Sequence, residues 1–127
     1  MILTIDTATR LTKLALLDSS LNLVDGMEEE SSFDQSEKLI SLVEVLLRRN
    51  NLTKYDIKIV AVNPGPGSYT GLRVGITTAN FLAFSLNVPV ADIFRLDSLK
   101  KEKYFTKPIL PAYGNCPHIT MSKSRLN

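Results

Sequence analysis

The sequence predicts an α/β domain: a mixed sheet, opened by a three-strand antiparallel meander, with helices packed on it. Three observations carry this. Three short strand-like segments joined by tight turns open the chain. Two long apolar segments of helical period follow. Between them lies Ile57 to Val62, a β-branched run of the kind found in strands covered on both faces. A meander cannot lead into a parallel strand without a crossover, and the first helix supplies one.

Ile2 to Asp6 is the first strand, apolar at Ile2, Leu3 and Ile5. Asp6-Thr7-Ala8-Thr9 is a tight polar turn, and Lys13 to Asp18 is the second strand. Asp18-Ser19-Ser20 turns the chain again through side chains that bond their own backbone. Leu21, Leu23 and Met27 alternate with Asn22 and Asp25 as a third strand exposed on one face, and Glu28 to Ser32 reads as a solvated connection. A helix spans Asp34 to Arg49. Ser32 or Asp34 can cap it, Glu37 suits its positive end, and Arg48 and Arg49 suit its negative end. After the β-branched strand, Asn63-Pro64-Gly65-Pro66-Gly67-Ser68 forbids regular structure, and Tyr69 to Leu86 is the second helix. Val88 to Ala91 is a brief strand entered through Pro89. A short helix is expected over Asp97 to Tyr104, and a hairpin pairing Ile109–Ala112 with His118–Met121.

A length of 127 residues supports one domain with a real core. The apolar stretches fall short of a membrane span. The N-terminus meets Asp6 without a basic region, unlike a secretory signal, so a soluble cytoplasmic protein is expected. Charge is uneven: residues 1–97 hold nine Lys/Arg against twelve Asp/Glu, and residues 98–127 hold six against one. Such a basic tail is either a solvated terminus or a contact for an acidic surface such as nucleic acid. The chain divides into a domain over residues 1–98 and a basic segment over 99–127.

The strongest local signal is Gly65-Pro66-Gly67-Ser68-Tyr69-Thr70-Gly71-Leu72-Arg73-Val74-Gly75. It joins a buried strand to a helix, where free N–H groups could hold an anion. It matches neither the phosphate-loop pattern nor the dinucleotide fingerprint, and the structural turn reads ahead of the anion site. Asp6, Thr7 and Thr9 are candidates for Mg²⁺-phosphate, against the plainer reading of a self-bonded turn. Cys116 and His118 lack the further ligands or orienting group that a metal site or a Cys–His nucleophile needs. Ser68 is not in a nucleophile elbow. No catalytic residue, metal site or cofactor of its own is assigned.

Both helices are too apolar for one sheet to cover. The first carries Leu39, Ile40, Val43, Leu46 and Leu47. The second carries Leu72, Ile76 and Leu82 beside a face of small residues, Gly71, Gly75, Ala79 and Ala83, that would admit another backbone closely. These residues are expected to form a partner surface, unless the C-terminal segment folds back over them. On that reading, Gly75→Leu would abolish pairing and leave the monomer folded.

The N-terminal Ile2-Leu3-Thr4-Ile5-Asp6-Thr7-Ala8-Thr9, followed by Gly65 to Gly75, resembles the TsaB (YeaZ) family, which helps make the threonylcarbamoyladenosine modification of tRNA. The second motif is the specific one, and the matching stretches cover about residues 1–98. The resemblance implies an actin/Hsp70-like ATPase fold, related to ribonuclease H. It also implies a non-catalytic partner that binds and activates a TsaD-type threonylcarbamoyltransferase through its two helices. A TsaE-type ATPase joins the assembly, and tRNA is met only within it. A homodimer through the same helices, and a nucleotide at the interface with the catalytic partner, are further implied options. Gln35 stands where the family commonly has histidine, which disfavours the alternative of a glycoprotease-like peptidase. The other alternative, an ATPase or small-molecule kinase, would need a cleft between two domains. Lys107 to Ala112 resembles the opening strand of the family's second domain, and the chain ends almost where that domain would begin.

Overall fold

The computed structural model describes residues 1–30 and 36–96. Five strands form one sheet in the order β3-β2-β1-β4-β5: β1 Ile2–Asp6, β2 Leu11–Leu17, β3 Leu23–Glu30, β4 Ile59–Val62 and β5 Val90–Asp92. β1 pairs antiparallel with β2, and β2 with β3, while β4 runs parallel to both β1 and β5. The crossovers are helices α1 (Ser36–Arg49) and α2 (Tyr69–Leu86). The mixed sheet with its meander is therefore as the sequence predicts.

Both helices lie on one face. Leu3, Ile5, Leu14, Leu16, Val60 and Val62 point to that side at the period of two, and all are buried beneath α1 and α2. α1 lies over β2 and β3; α2 lies over β1, β4 and β5. On the opposite face, Ile2, Ile59, Ala61 and Ala91 form a second cluster with Leu96.

Several boundaries differ from expectation, β5 among them, which starts at Val90 and not at Val88. β3 begins at Leu23, because Leu21 takes φ 67° inside a turn organised by Asp18. The Asp18 carboxylate accepts from the Ser20 and Asn22 amides, each at 2.9 Å. Glu28 to Glu30 belong to β3 instead of forming a solvated connection. β2 starts two residues earlier than Lys13, which gives these glutamates partners, including Lys13 opposite Glu28. β4 starts at Ile59, not Ile57, since a 3₁₀ turn over Lys54–Asp56 occupies the approach. The α1 caps, Ser32 and Asp34, lie outside the described residues. So do Gln35, the helix over Asp97–Tyr104, the hairpin, Cys116, His118 and the basic segment.

The end of α1 is clamped to β3. Arg49 donates from Nε and Nη2 to the two Asp25 oxygens at 2.9 and 3.0 Å, and Asn50 adds a bond at 2.8 Å. The Arg49 bond, and then the Asn50 bond, hold the Asp25 carboxyl down from its ordinary 3.8 to about 2. A folded-state value below the unfolded one means the clamp's contribution is complete above pH 3.8. It is lost as pH falls through about 2. Carboxyl-carbon NMR should place the Asp25 midpoint near 2, and Arg49→Ala should return it toward 3.8.

Thr78 in α2 is buried, and its hydroxyl has no hydrogen-bond partner among the described residues. The isosteric Thr78→Val should stabilise the fold by about 1 kcal/mol and raise Tm by about 3–5 °C in a thermal melt.

Candidate functional site

Because β1 and β4 are parallel neighbours, their C-terminal ends emerge side by side, and the two sequence motifs meet there. Asn63, straight after β4, donates its amide to the Ile5 carbonyl at 3.0 Å. Its side-chain Nδ2 donates to Asp6 Oδ1 at 3.2 Å, and its Oδ1 accepts from the Gly65 amide at 2.9 Å. Asp6 Oδ1 also accepts from the Ala8 amide at 3.0 Å. The Ser68 amide donates to the Ala8 carbonyl at 3.0 Å, and the Ser68 hydroxyl caps α2 by accepting from the Gly71 amide at 3.1 Å. The Thr7 hydroxyl donates to the Gly71 carbonyl.

This geometry explains the glycines. Gly65 takes φ 115°, which favours glycine. A Cβ on Gly67 would lie 2.7 Å from both Cβ and carbonyl oxygen of Ala8. A Cβ on Gly75 would overlap the Thr7 hydroxyl. The motif loop is a junction that fastens the β4–α2 connection to the β1–β2 turn. Of the three ligand candidates, Thr7 is buried and bonded to α2, which withdraws it from any ligand. Thr9 is exposed and accepts from the Leu11 amide at 3.3 Å, and Asp6 is half-buried. Pro66, Tyr69, Thr70 and Arg73 are exposed around the same end of the sheet.

The expected partner residues divide differently. Gly71, Leu72, Gly75, Ile76, Ala79 and Ala83 are all buried within the chain. The small face of α2 is needed for its close approach to the strands and to Thr7, so no second chain reaches it. Leu39, Val43, Leu46 and Leu47 of α1 are likewise buried in this core. Ile40 and Leu82 remain half-buried at the surface. Ten of the twelve expected residues are therefore core, and the apolar surface that the helices leave uncovered is carried largely by others.

What stays outside is another strip. Phe81 and Phe84, one turn apart on α2, are exposed, Phe84 at 86%. Next to them a groove of about 350 Å³ runs between the helices, walled by Ile40, Val43 and Leu47 on one side and Phe81, Leu82 and Leu86 on the other. Ile57 also lines it, with Glu44, Lys54, Tyr55 and Ser85 as its polar members. The sequence reading of the partner surface does not include Phe81 or Phe84. It passed over Glu44, Lys54 and Tyr55 altogether. The available signal was the spacing of Thr77, Phe81 and Phe84, one stripe on the side of α2 away from the buried glycines. Among the described residues, no helix is long and apolar enough to cross a membrane.

Comparison with known proteins converges on one family. A family model described as TsaD: tRNA N6-adenosine threonylcarbamoyltransferase matches residues 29–114. The tRNA threonylcarbamoyladenosine biosynthesis protein TsaB of Bacillus subtilis (strain 168) is 31% identical over 113 residues, which is 88% of this chain and 49% of the relative. TsaB of Escherichia coli (strain K12) is 32% identical over 95 residues, 75% of this chain and 40% of its own. The structure of YeaZ from Pseudomonas aeruginosa matches with a TM-score of 0.63 and 30% identity, over 71% of this chain and 42% of that one. The chain spans about half the length of the curated relatives it matches, at 49% and 53% for two of them. The fold is the actin-like one that the sequence motifs imply. By its sequence, its strand order and the junction of its two motifs, the chain belongs to the TsaB/YeaZ family.

Proposed function

We propose that this chain serves tRNA threonylcarbamoyladenosine biosynthesis as a non-catalytic subunit that docks on a TsaD-type transferase and activates it. The observation that carries the reading is the exposed apolar surface of α2, where Phe81 and Phe84 stand one turn apart and Phe81 lines the apolar groove against α1. Contiguous exposed apolar surface of this kind marks interaction sites. The names of the relatives support the pathway. The junction supports a structural role for the motif, since Asp6, Thr7, Asn63 and Ser68 all spend hydrogen bonds on holding two loops together.

On this reading the helices meet the transferase, a TsaE-type ATPase joins the pair, and tRNA is bound by the assembly and not by this chain alone. The deciding experiment measures threonylcarbamoyl transfer to tRNA by the TsaD-type subunit with and without this chain. Faster transfer in its presence is expected. Equal rates sink the proposal.

A further inference from the structure

The face of the sheet turned away from the helices is closed, and the described residues are too few to close it. Ile2, Thr4, Ile59, Ala61 and Ala91 lie there on β1, β4 and β5, and all are buried, Ala61 at 0% exposure. An alanine on the bare face of a sheet would show its methyl group to water. Both helices pack on the other side. Among the described residues, Leu21, Ile93 and Leu96 are the members of this cluster from outside the strands. Three side chains, from the β2–β3 turn and the turn after β5, do not seal a strip three strands wide.

Leu96, the last described residue, leads onto this face. It is buried in the cluster and takes helical angles, φ −61° and ψ −36°. The next nine residues, 97–105, include Leu99, Tyr104 and Phe105. Nine residues span about 13 Å even as a helix, and β5 to β1 is two strand spacings, about 10 Å. We propose that residues 97–105 of this chain lie across β5, β4 and β1 on the side away from the helices and close the core there. The surface admits a chain laid close to it, because Thr4, Ala61 and Ala91 stand side by side in register, small on three adjacent strands. Charge agrees. On the same face Asp6 is opposite Lys13 and Lys13 opposite Glu28, two carboxylates to one ammonium, while residues 98–105 carry Lys100, Lys101 and Lys103 against Glu102. The groove side of α1 and α2, which the same segment could cover on the sequence alone, is then left to another protein. This cover is needed whether or not the helices dock a transferase.

The test has two arms, both on the full chain. Leu99→Ser with Phe105→Ser should lower Tm by about 10 °C or more in a thermal melt, because two apolar side chains leave the core. Ile119→Ser with Met121→Ser, farther along the basic segment, should keep Tm within about 1 °C of native. Equal losses from the two pairs overturn the assignment to residues 97–105. A Leu99→Ser/Phe105→Ser variant that melts with the native chain overturns the cover altogether. The second arm reads the side. A nitroxide on Glu102→Cys, with Cys116→Ser removing the one native cysteine, should broaden the methyl signals of Ile2, Ile59 and Ala61 far more than those of Ile40 and Leu82 at the groove. Stronger broadening at Ile40 and Leu82, or none at either set, overturns the proposal. The labelled chain keeps Leu99 and Phe105, so this arm decides even if the serine variant does not fold.

Discussion

Gly75→Ala should lower the unfolding free energy by about 3 kcal/mol, and Gly75→Leu should leave no folded monomer at ordinary temperature. The cause is the position of Thr7. A Cβ at residue 75 would overlap the Thr7 hydroxyl and lie 3.2 Å from its Cβ. The hydroxyl cannot step aside cheaply, because it is buried and donates to the Gly71 carbonyl one turn earlier in α2. Either α2 lifts from the end of β1, or Thr7 loses its bond and leaves a buried carbonyl unsatisfied. Urea unfolding measures the loss directly. Adding Thr7→Ala to Gly75→Ala should recover part of it, since the overlapping atom is then gone. Additive costs in that double-mutant cycle would show that the two residues do not touch. The expectation drawn from sequence, that Gly75→Leu spares the monomer, is reversed by this contact.

Phe84→Glu should do the opposite: leave stability almost unchanged and weaken association with the TsaD-type subunit at least about thirtyfold. Phe84 is 86% exposed, so its removal opens no cavity in the core. Its ring stands one turn from Phe81 on the outer side of α2, and a carboxylate there would be stranded in an apolar contact. Isothermal titration of the two purified subunits reads the affinity, and a thermal melt checks the fold. Native affinity in the variant would move the docking surface away from this strip.

These two residues show where sequence reading succeeds and where it stops. The strands and both helices were legible because their apolar periods differ, two against about 3.6, and because proline, glycine and asparagine punctuate the joints. Their meeting at the ends of β1 and β4 also follows from parallel pairing. A run of small residues four apart, however, looks the same whether its close neighbour is another chain or the chain's own turn. Thr7 and Gly71 are 64 residues apart in sequence, and nothing local announces their hydrogen bond. Glu28 to Glu30 were read as connection because glutamate disfavours strands. An exposed edge strand with Lys13 opposite Glu28 removes that objection. Glu44 and Lys54 look like any solvated charges until the fold sets them along one groove.

The placement of β3 bears on how the protein stays dispersed. Among the described residues it is the long free edge of the sheet, eight residues with β2 on one side and no strand on the other, and Leu23 and Val24 are exposed at its start. At the other edge, β5 is three residues long and follows a proline, too short to template another chain. The three glutamates at the end of β3 give copies of the chain a mutual repulsion along the edge where they would otherwise zip together. A variant with those carboxylates made amides would keep its fold and become the one that forms fibres.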